Sequence, residues 1–373
     1  MNQPHRLPLW LRRLLARHLA HPAALASTPR RRRACLYKVD RIGDFILATG
    51  ALRMLVDHFG AAECRLIVSS QAAPFAAAEF PDVERWTAPA GTSGVWREMR
   101  PLRRELAPQW AEEEFATLIC LRHQHALHHD LTLSWIRAEN WRGLGERPTV
   151  AHLALDNRPE PATGYPATTE APWCRELLAH RQVLSAVLGR DVSWEEMSPR
   201  LRYLQPEAGC EIVLCPFGGA CIRDYPRAAW LAAWRQAVEP HAVVRLLGSG
   251  ERRDELEQFA ADLRAAEADV VVTADAPPRD FARHVAQARM VLTVESAAAH
   301  IAVALDKPAA IVMGGGHFGW FAPWGDSSRQ RWLHHPLDCY GCNWQCRRPR
   351  IECLLDLPAT AVAQSIREVL PHA

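Results

Sequence analysis

The chain has 373 residues, 49% of them hydrophobic and 23% charged, with a formal net charge of +2. That is the make-up of a soluble globular protein with room for two domains, and it lacks the charge balance of a polyanion binder, so no nucleic-acid partner is expected. No apolar run approaches the ~20 residues of a membrane-spanning helix, no secretory signal is expected at the start, and the odd count of eleven cysteines, several in strand-like runs, favours a reducing cytoplasm.

Residues 1–33 stand apart as a basic amphipathic extension. Leu11, Leu14, Leu15 and Leu19 fall at helical spacing beside Trp10, Arg12, Arg13 and Arg17 lie largely off that stripe, and Arg30–Arg33 adds a basic run. Two readings stand open: a helix lying on an anionic membrane face, or a helix packed on the protein's own surface or a partly disordered tail.

Residues 34–38 are expected as a strand, 39–44 as a turn, 45–59 as a helix with Ile46, Leu47, Leu52, Leu55, Val56 and Phe59 on its apolar stripe, and 64–68 as the next strand. This βαβ start has Gly43 in its first turn but no GxGxxG. Asp44 falls at the strand's carboxyl end. It is read either as a general base facing a cleft or as a first-turn acid that favours the helix dipole. A strand at 115–121 precedes His123, His125, His128 and His129 and a helix around 131–136. Without a paired spacing such as HExxH, these histidines are read as exposed or acceptor-facing rather than as a metal site. Residues 159–172 read as a Pro/Thr-rich loop, 173–188 as a helix and 192–206 as the crossing between two domains.

The alternation then restarts. A strand at 211–215 ends in Pro216-Phe217-Gly218-Gly219, Arg223 follows, and a helix covers 227–238. A strand at 242–247 ends in Gly248-Ser249-Gly250-Glu251, with a helix to about Leu263, a strand at 270–273 and a helix at 281–287. Both glycine loops sit at strand carboxyl ends, where open α/β sheets bind ligands.

The stretch from Met290 to Gly316 carries the most information. Residues 290–294 form an apolar β-branched strand, Glu295-Ser296 breaks it with Ser296 as a fair N-cap, and 297–305 is an Ala-rich helix. Asp306-Lys307-Pro308 stops that helix, 309–313 is a second strand, and Gly314-Gly315-Gly316 lets the backbone come close to something at the strand's end. A helix amino terminus there suits a phosphate or diphosphate. Ala297, Ala298 and Ala299 leave room for a ligand, and His300 is placed to donate to a phosphate oxygen.

Cys339-x2-Cys342-x3-Cys346-x6-Cys353 is dense and local. Such spacing can hold zinc or iron through thiolates; reduced structural thiols or disulfides are the alternative. Arg347, Arg348 and Arg350 nearby would favour thiolates or an anionic acceptor. A last helix at 359–370 is expected to pack back on the body. The expected organisation is therefore an extension at 1–33, an α/β domain at 34–206, a second at 207–355 with the Cys-rich end, and a C-terminal helical segment at 356–373.

Two Rossmann-like halves suggest an α/β fold of the GT-B type, with two Rossmann-like domains facing each other across a cleft. Arg41-Ile-Gly-Asp44 before a helix, Arg223-Asp-Tyr-Pro226, Leu247-Gly-Ser-Gly-Glu251 and Glu295-Ser-Ala-Ala-Ala-His300 occur in order. With the Cys-rich end, this set resembles glycosyltransferase family 9, the bacterial ADP-heptose heptosyltransferases, over about residues 34–370. The resemblance implies inverting transfer of a heptose from an ADP-sugar to an acceptor hydroxyl. By residue, it implies Asp44 as general base and Arg223, where the family usually has Lys, as the cation on the diphosphate. It matches Gly218 and Gly219 to a phosphate-contacting loop and Glu251 to an acid holding the ribose. Glu295, Ser296, Ala297 and His300 match an Asp-Thr/Ser-Gly-x-x-His segment that contacts sugar and phosphates. Glu295 is longer than the family's Asp and Ala297 adds a methyl to its Gly, so the sugar pocket is expected to be crowded. The resemblance further implies a nucleotide-sugar-binding second domain, an acceptor-binding first domain and no cofactor for catalysis. It implies a lipid-linked acceptor in lipopolysaccharide core or surface glycan synthesis, and a cytoplasmic, peripheral enzyme on the inner membrane. A protein acceptor of the autotransporter type, with metal on the cysteines, is a second reading. A non-catalytic nucleotide-sugar-binding scaffold is a third.

Overall fold

The structure, a computed structural model, describes Leu19 and residues 28–91, 95–122, 127–144 and 174–370. The described residues of Met1–Arg41, Gly50–Tyr165 and Leu178–Ser198 form one compact unit, and those of Ile42–Thr49, Pro166–Leu177 and Pro199–Ala373 form another.

Short aliphatic runs separated by helices build parallel sheets, because each crossover needs a helix to return the chain. The elements up to Ser198 are β1 (Arg30–Lys38), α1 (Ile42–Phe59), β2 (Cys64–Ser69), α2 (Ala73–Glu79), β3 (Glu84–Ala88), α3 (Val95–Trp110), β4 (Glu113–Cys120), α4 (Leu127–Ser134), β5 (Ala138–Arg142), α5 (Arg175–Leu188) and α6 (Trp194–Met197). The sheet runs β3-β2-β1-β4-β5, parallel throughout. Leu36, Tyr37, Leu66, Ile67, Leu118 and Ile119 are fully buried in it.

Several expectations change here. The first strand starts at Arg30, not at Ala34, so the basic run belongs to β1. Arg32 has a side chain only 1% exposed, and it is held by Glu113 at 2.7 Å and Glu84 at 2.5 Å. Its charge is neutralised on the sheet's central strand instead of being offered to a partner. Leu19, from the stripe of the basic extension, is 1% exposed in the core of the first unit, and its carbonyl accepts the indole N–H of Trp135 at 2.6 Å. At that residue the stripe packs on the protein itself; the rest of it lies outside the described residues, as do His123, His125 and the loop at 159–172. His129, read as exposed or acceptor-facing, is buried on the inner side of α4 and hydrogen-bonded, with Nδ1 3.2 Å from the Tyr37 hydroxyl.

The second sheet comprises β6 (Ile212–Cys215), β7 (Val243–Gly248), β8 (Asp269–Ala274), β9 (Met290–Val294), β10 (Ala309–Val312) and β11 (Gln330–Leu333). Its helices are α7 (Arg227–Ala237), α8 (Arg253–Arg264), α9 (Pro278–Ala286), α10 (Ala297–Ala304), α11 (Glu352–Leu355) and α12 (Ala359–Val369). The order is β11-β10-β9-β6-β7-β8, all parallel. This is the doubly wound arrangement of dinucleotide-binding sheets, whose topological switch point lies between β6 and β9. One face of the sheet carries Ile212, Leu214, Val244, Leu246, Leu292 and Val312. Against it lie Trp230 and Trp234 of α7, Leu256 and Phe259 of α8, and Val362, Ala363 and Ile366 of α12. The last helix is thus part of this unit's core, and Tyr225 ties the segment before it by donating its hydroxyl to the Leu357 carbonyl at 2.8 Å. No helix among the described residues is long and apolar enough to cross a membrane.

Candidate functional site

Because the second sheet is parallel, the carboxyl ends of its strands share one edge. Four neighbouring strands, β10, β9, β6 and β7, deliver Gly314–His317, Glu295-Ser296, Pro216–Gly219 and Ser249–Glu251 to that edge. The three glycine loops and the Glu-Ser break singled out in the sequence therefore lie side by side around the switch point.

Ser296 has extended backbone but does not cap α10 with its side chain. Its hydroxyl lies 3.1 Å from that of Thr293, which also donates to the Cys215 carbonyl at 3.1 Å. The expected side-chain cap is absent because Thr293 competes for the hydroxyl. The first turn of α10 thus presents backbone N–H groups and the positive end of its dipole at the switch point, an arrangement that favours an anion.

Glu295 is buried, 4% exposed. Its two carboxylate oxygens lie 3.0 and 3.1 Å from Nδ1 of His317, and Oε1 lies 3.5 Å from Nη1 of Arg223. Burial alone would push this carboxyl up, but the His317 hydrogen bond and the charge of Arg223 outweigh it and hold it below the usual range. Glu295 is an ionised hub between two basic side chains. The long side chain of Glu295 is turned towards His317 and Arg223.

His300 is 4% exposed, and its Nδ1 accepts the indole N–H of Trp324 at 3.0 Å. An indole nitrogen only donates, so Nδ1 is unprotonated and Nε2 carries the hydrogen. Burial pushes the His300 pKa down to about 4, which keeps the ring neutral. A Cβ on Gly43 would stand 2.8 Å from Cδ2 and 3.5 Å from Nε2 of this ring. Gly43 and Asp44 sit in the first turn of α1, in the stretch Ile42–Thr49 that belongs by contact to the second unit. Asp44, half-buried, is therefore the residue next to the one that faces His300.

On the β6 and β7 side, Gly218 donates its N–H to Asp224 at 2.9 Å, and a Cβ on it would meet Cβ of Arg223 at 3.1 Å. Arg252 bonds Asp224 at 2.8 Å and lies 3.9 Å above the Phe217 ring, which locks the two loops together. Glu251 and Gly219 are exposed at this edge, and Ala297 is half-buried in the first turn of α10. Gly250 donates to Asp275 at 2.6 Å.

One expectation is corrected. The close approach at Gly314–Gly316 is made by this chain's own rings: added Cβ atoms would meet Trp344 at 2.3 Å from Gly314 and 2.4 Å from Gly316, and Tyr340 at 2.4 Å from Gly315. The Cys-rich segment thus walls off the glycine loop. The four cysteines in which a zinc or iron site was weighed against reduced thiols sit together in that segment. Cys339, Cys342, Cys346 and Cys353 line one small pocket, but among the described residues no three His, Cys, Asp or Glu side chains are set to hold a metal ion. All are free thiols, and burial pushes Cys346 and Cys353 up, towards the protonated form. Arg348 bonds Asp338 and Glu352, both at 2.7 Å, and also Cys339, and Arg350 bonds Asp356 at 2.6 Å.

Sequence reasoning passed over His317, Trp324 and Arg252. The one signal for His317 was its place directly after three glycines at a strand's carboxyl end. Trp324 and Arg252 had none, because their partners are set by tertiary contact.

Residues 188–345 match the family model described as Glycosyltransferase family 9 (heptosyltransferase). Among solved structures, E. coli heptosyltransferase WaaC with ADP is similar at 17% identity and a TM-score of 0.64, covering 90% of this chain and 99% of that one. E. coli ADP-heptose lps heptosyltransferase II is similar at 14% identity and a TM-score of 0.62, covering 91% and 98%. The iron-containing dodecameric glycosyltransferase TibC of enterotoxigenic E. coli H10407 is similar at 13% identity and 0.51, covering 92% and 77%. These structural likenesses establish the fold as GT-B. No curated protein matches the chain in sequence.

Proposed function

We propose that the chain acts as a glycosyltransferase of family 9, whose model residues 188–345 match. The reaction is transfer of a heptose from ADP-heptose to an acceptor hydroxyl in lipopolysaccharide core or surface glycan synthesis, with inversion at the anomeric carbon. The observation that supports it most is the convergence of Arg223, Glu295, His300 and His317 with the first turn of α10 at the switch point of the second sheet. ADP as bound by WaaC, and ADP-2-deoxy-2-fluoro heptose bound by the same relative, support the choice of donor.

In this reading Gly218, Gly219 and Arg223 take the diphosphate, Glu251 the ribose, and Ser296, Ala297 and His300 the phosphates and sugar. Asp44 removes the proton of the acceptor hydroxyl, whose oxygen attacks the anomeric carbon as the bond to the diphosphate breaks. The departing ADP is stabilised by the Arg223 guanidinium and the amino terminus of α10. His300, neutral with its hydrogen on Nε2, donates to an oxygen on the same side as the α1 turn.

The test is Asp44→Asn. Calorimetry should show ADP binding within about twofold of the wild type, while transfer from ADP-heptose falls by about 10²–10⁴-fold, the range of a lost general base. Full transfer by a folded Asp44→Asn chain would remove Asp44 from the mechanism.

A further inference from the structure

His317 belongs to none of the motifs that carried the resemblance, yet its ring is among the most firmly placed at the site. Its Nδ1 faces both oxygens of a buried carboxylate, at 3.0 and 3.1 Å. The ring stands edge-on to Phe321, with centroids 5.0 Å apart, and to Trp344, with centroids 5.6 Å apart, each at 72°. Trp344 also fills the space over Gly314 and Gly316, so the loop that carries His317 is pressed from the Cys-rich segment.

An ionised carboxylate only accepts, so Nδ1 of His317 carries the hydrogen and donates to Glu295. The ring's single remaining polar atom is Nε2, which in the imidazole form is an acceptor. Among the described residues Nε2 of His317 makes no hydrogen bond, and the side chain is 18% exposed. His300 has the opposite tautomer, because Trp324 occupies its Nδ1 from the donor side. Two imidazoles on one sheet edge thus offer complementary atoms: an N–H on His300 and a lone pair on His317. Phosphate oxygens satisfy an N–H and repel a lone pair. A lone pair calls for a donor, and on a sugar that donor is a hydroxyl.

We propose that His317 is a specificity-determining residue for the donor, its Nε2 accepting a hydroxyl of the transferred sugar while Glu295 acts behind it to fix the ring. This rests on the reading of the site as one for a nucleoside-diphosphate sugar, and it deepens that reading. It also gives a use for the long acid at position 295. The added methylene carries the carboxylate to His317, and recognition of the sugar passes from the acid to the imidazole.

The test compares ADP with ADP-heptose by calorimetry on the wild type, His317→Ala and His317→Asn. Asn keeps an N–H near Nδ1 for Glu295 but has nothing at the Nε2 position. ADP should bind all three within about twofold, while ADP-heptose should bind both variants about tenfold more weakly than the wild type, the worth of one hydrogen bond to a polar group. Wild-type affinity of His317→Asn for ADP-heptose would overturn the proposal, because holding Glu295 would then be the whole role. Equal loss of ADP and ADP-heptose would overturn it too, in favour of a structural role. If the wild type bound neither ligand, the donor reading itself would fall, and this inference with it.

Discussion

Trp324 donates its indole N–H to Nδ1 of His300 across 3.0 Å, with the two rings within 11° of parallel. This bond decides which face of a buried imidazole is a donor, and it couples the site to pH. His300 has a pKa pushed down to about 4 by burial. The unfolded chain takes up a proton near the ordinary value of about 6.5, whereas the folded chain does not until about 4. Stability is therefore fully present above about pH 6.5 and is lost as pH falls towards 4, by about 3 kcal/mol from this residue. His129, also held low by burial, acts in the same direction. Thermal midpoints measured from pH 7 to 4.5 should fall less steeply in His300→Gln than in the wild type. Parallel curves would mean that His300 is not buried and neutral.

Gly43→Ala should separate folding from catalysis. Alanine favours helix over glycine by about 1 kcal/mol, so α1 should form at least as well. The new Cβ would lie 2.8 Å from Cδ2 of His300, however, and the imidazole or the α1 turn must shift. Transfer should drop by about 10²-fold, the cost of a displacement near 1 Å at a reacting centre, with a thermal midpoint at or near that of the wild type. Unchanged turnover would show that the contact between Gly43 and His300 does not matter to the reaction.

Gly50→Ala should do the reverse. A Cβ there would stand 1.9 Å from the backbone oxygen of Met197 and 2.8 Å from that of Ser198, and neither can rotate away as a side chain would. A loss of more than about 3 kcal/mol is expected in chemical denaturation, as for severe overpacking. A loss under about 1 kcal/mol would contradict this packing.

Arg32→Met should cost about 1.5–3 kcal/mol, because the buried Glu113 loses its 2.7 Å charged partner and keeps only Arg65. The Glu113→Gln change on the same background should recover part of that loss in a double-mutant cycle. Additive losses would mean that the two groups do not interact.

Much of the second sheet was legible in the sequence because its strands are four- to six-residue aliphatic runs ending in Gly or Glu-Ser breaks. The run Ile212–Cys215 before Pro216 and the run Met290–Val294 before Glu295 are the plainest cases. The segment from Ala73 to Trp110 was not legible. α3 carries Pro101 and Pro108 and a high charge content, and β3 is a mixed run, Glu-Arg-Trp-Thr-Ala, whose Trp86 is buried by tertiary stacking on Trp110. The start of β1 was hidden for a related reason. Four consecutive arginines read as part of a basic extension until Glu84 and Glu113, distant in sequence, are seen to neutralise Arg32. At the site, Arg223 and His300 stood in recognisable spacing. His317 and Trp324 gain meaning only from the atoms they face, and a linear pattern does not encode those.

The most direct test of the proposed donor is calorimetric titration of the wild-type chain with ADP, UDP, GDP and CMP, alongside ADP titrated into Arg223→Ala. Selective binding of ADP, weakened at least tenfold in Arg223→Ala as expected for a lost charge-assisted hydrogen bond of about 1.5–3 kcal/mol, is the result predicted. Preference for another nucleotide, or ADP affinity unchanged without the Arg223 guanidinium, would contradict it.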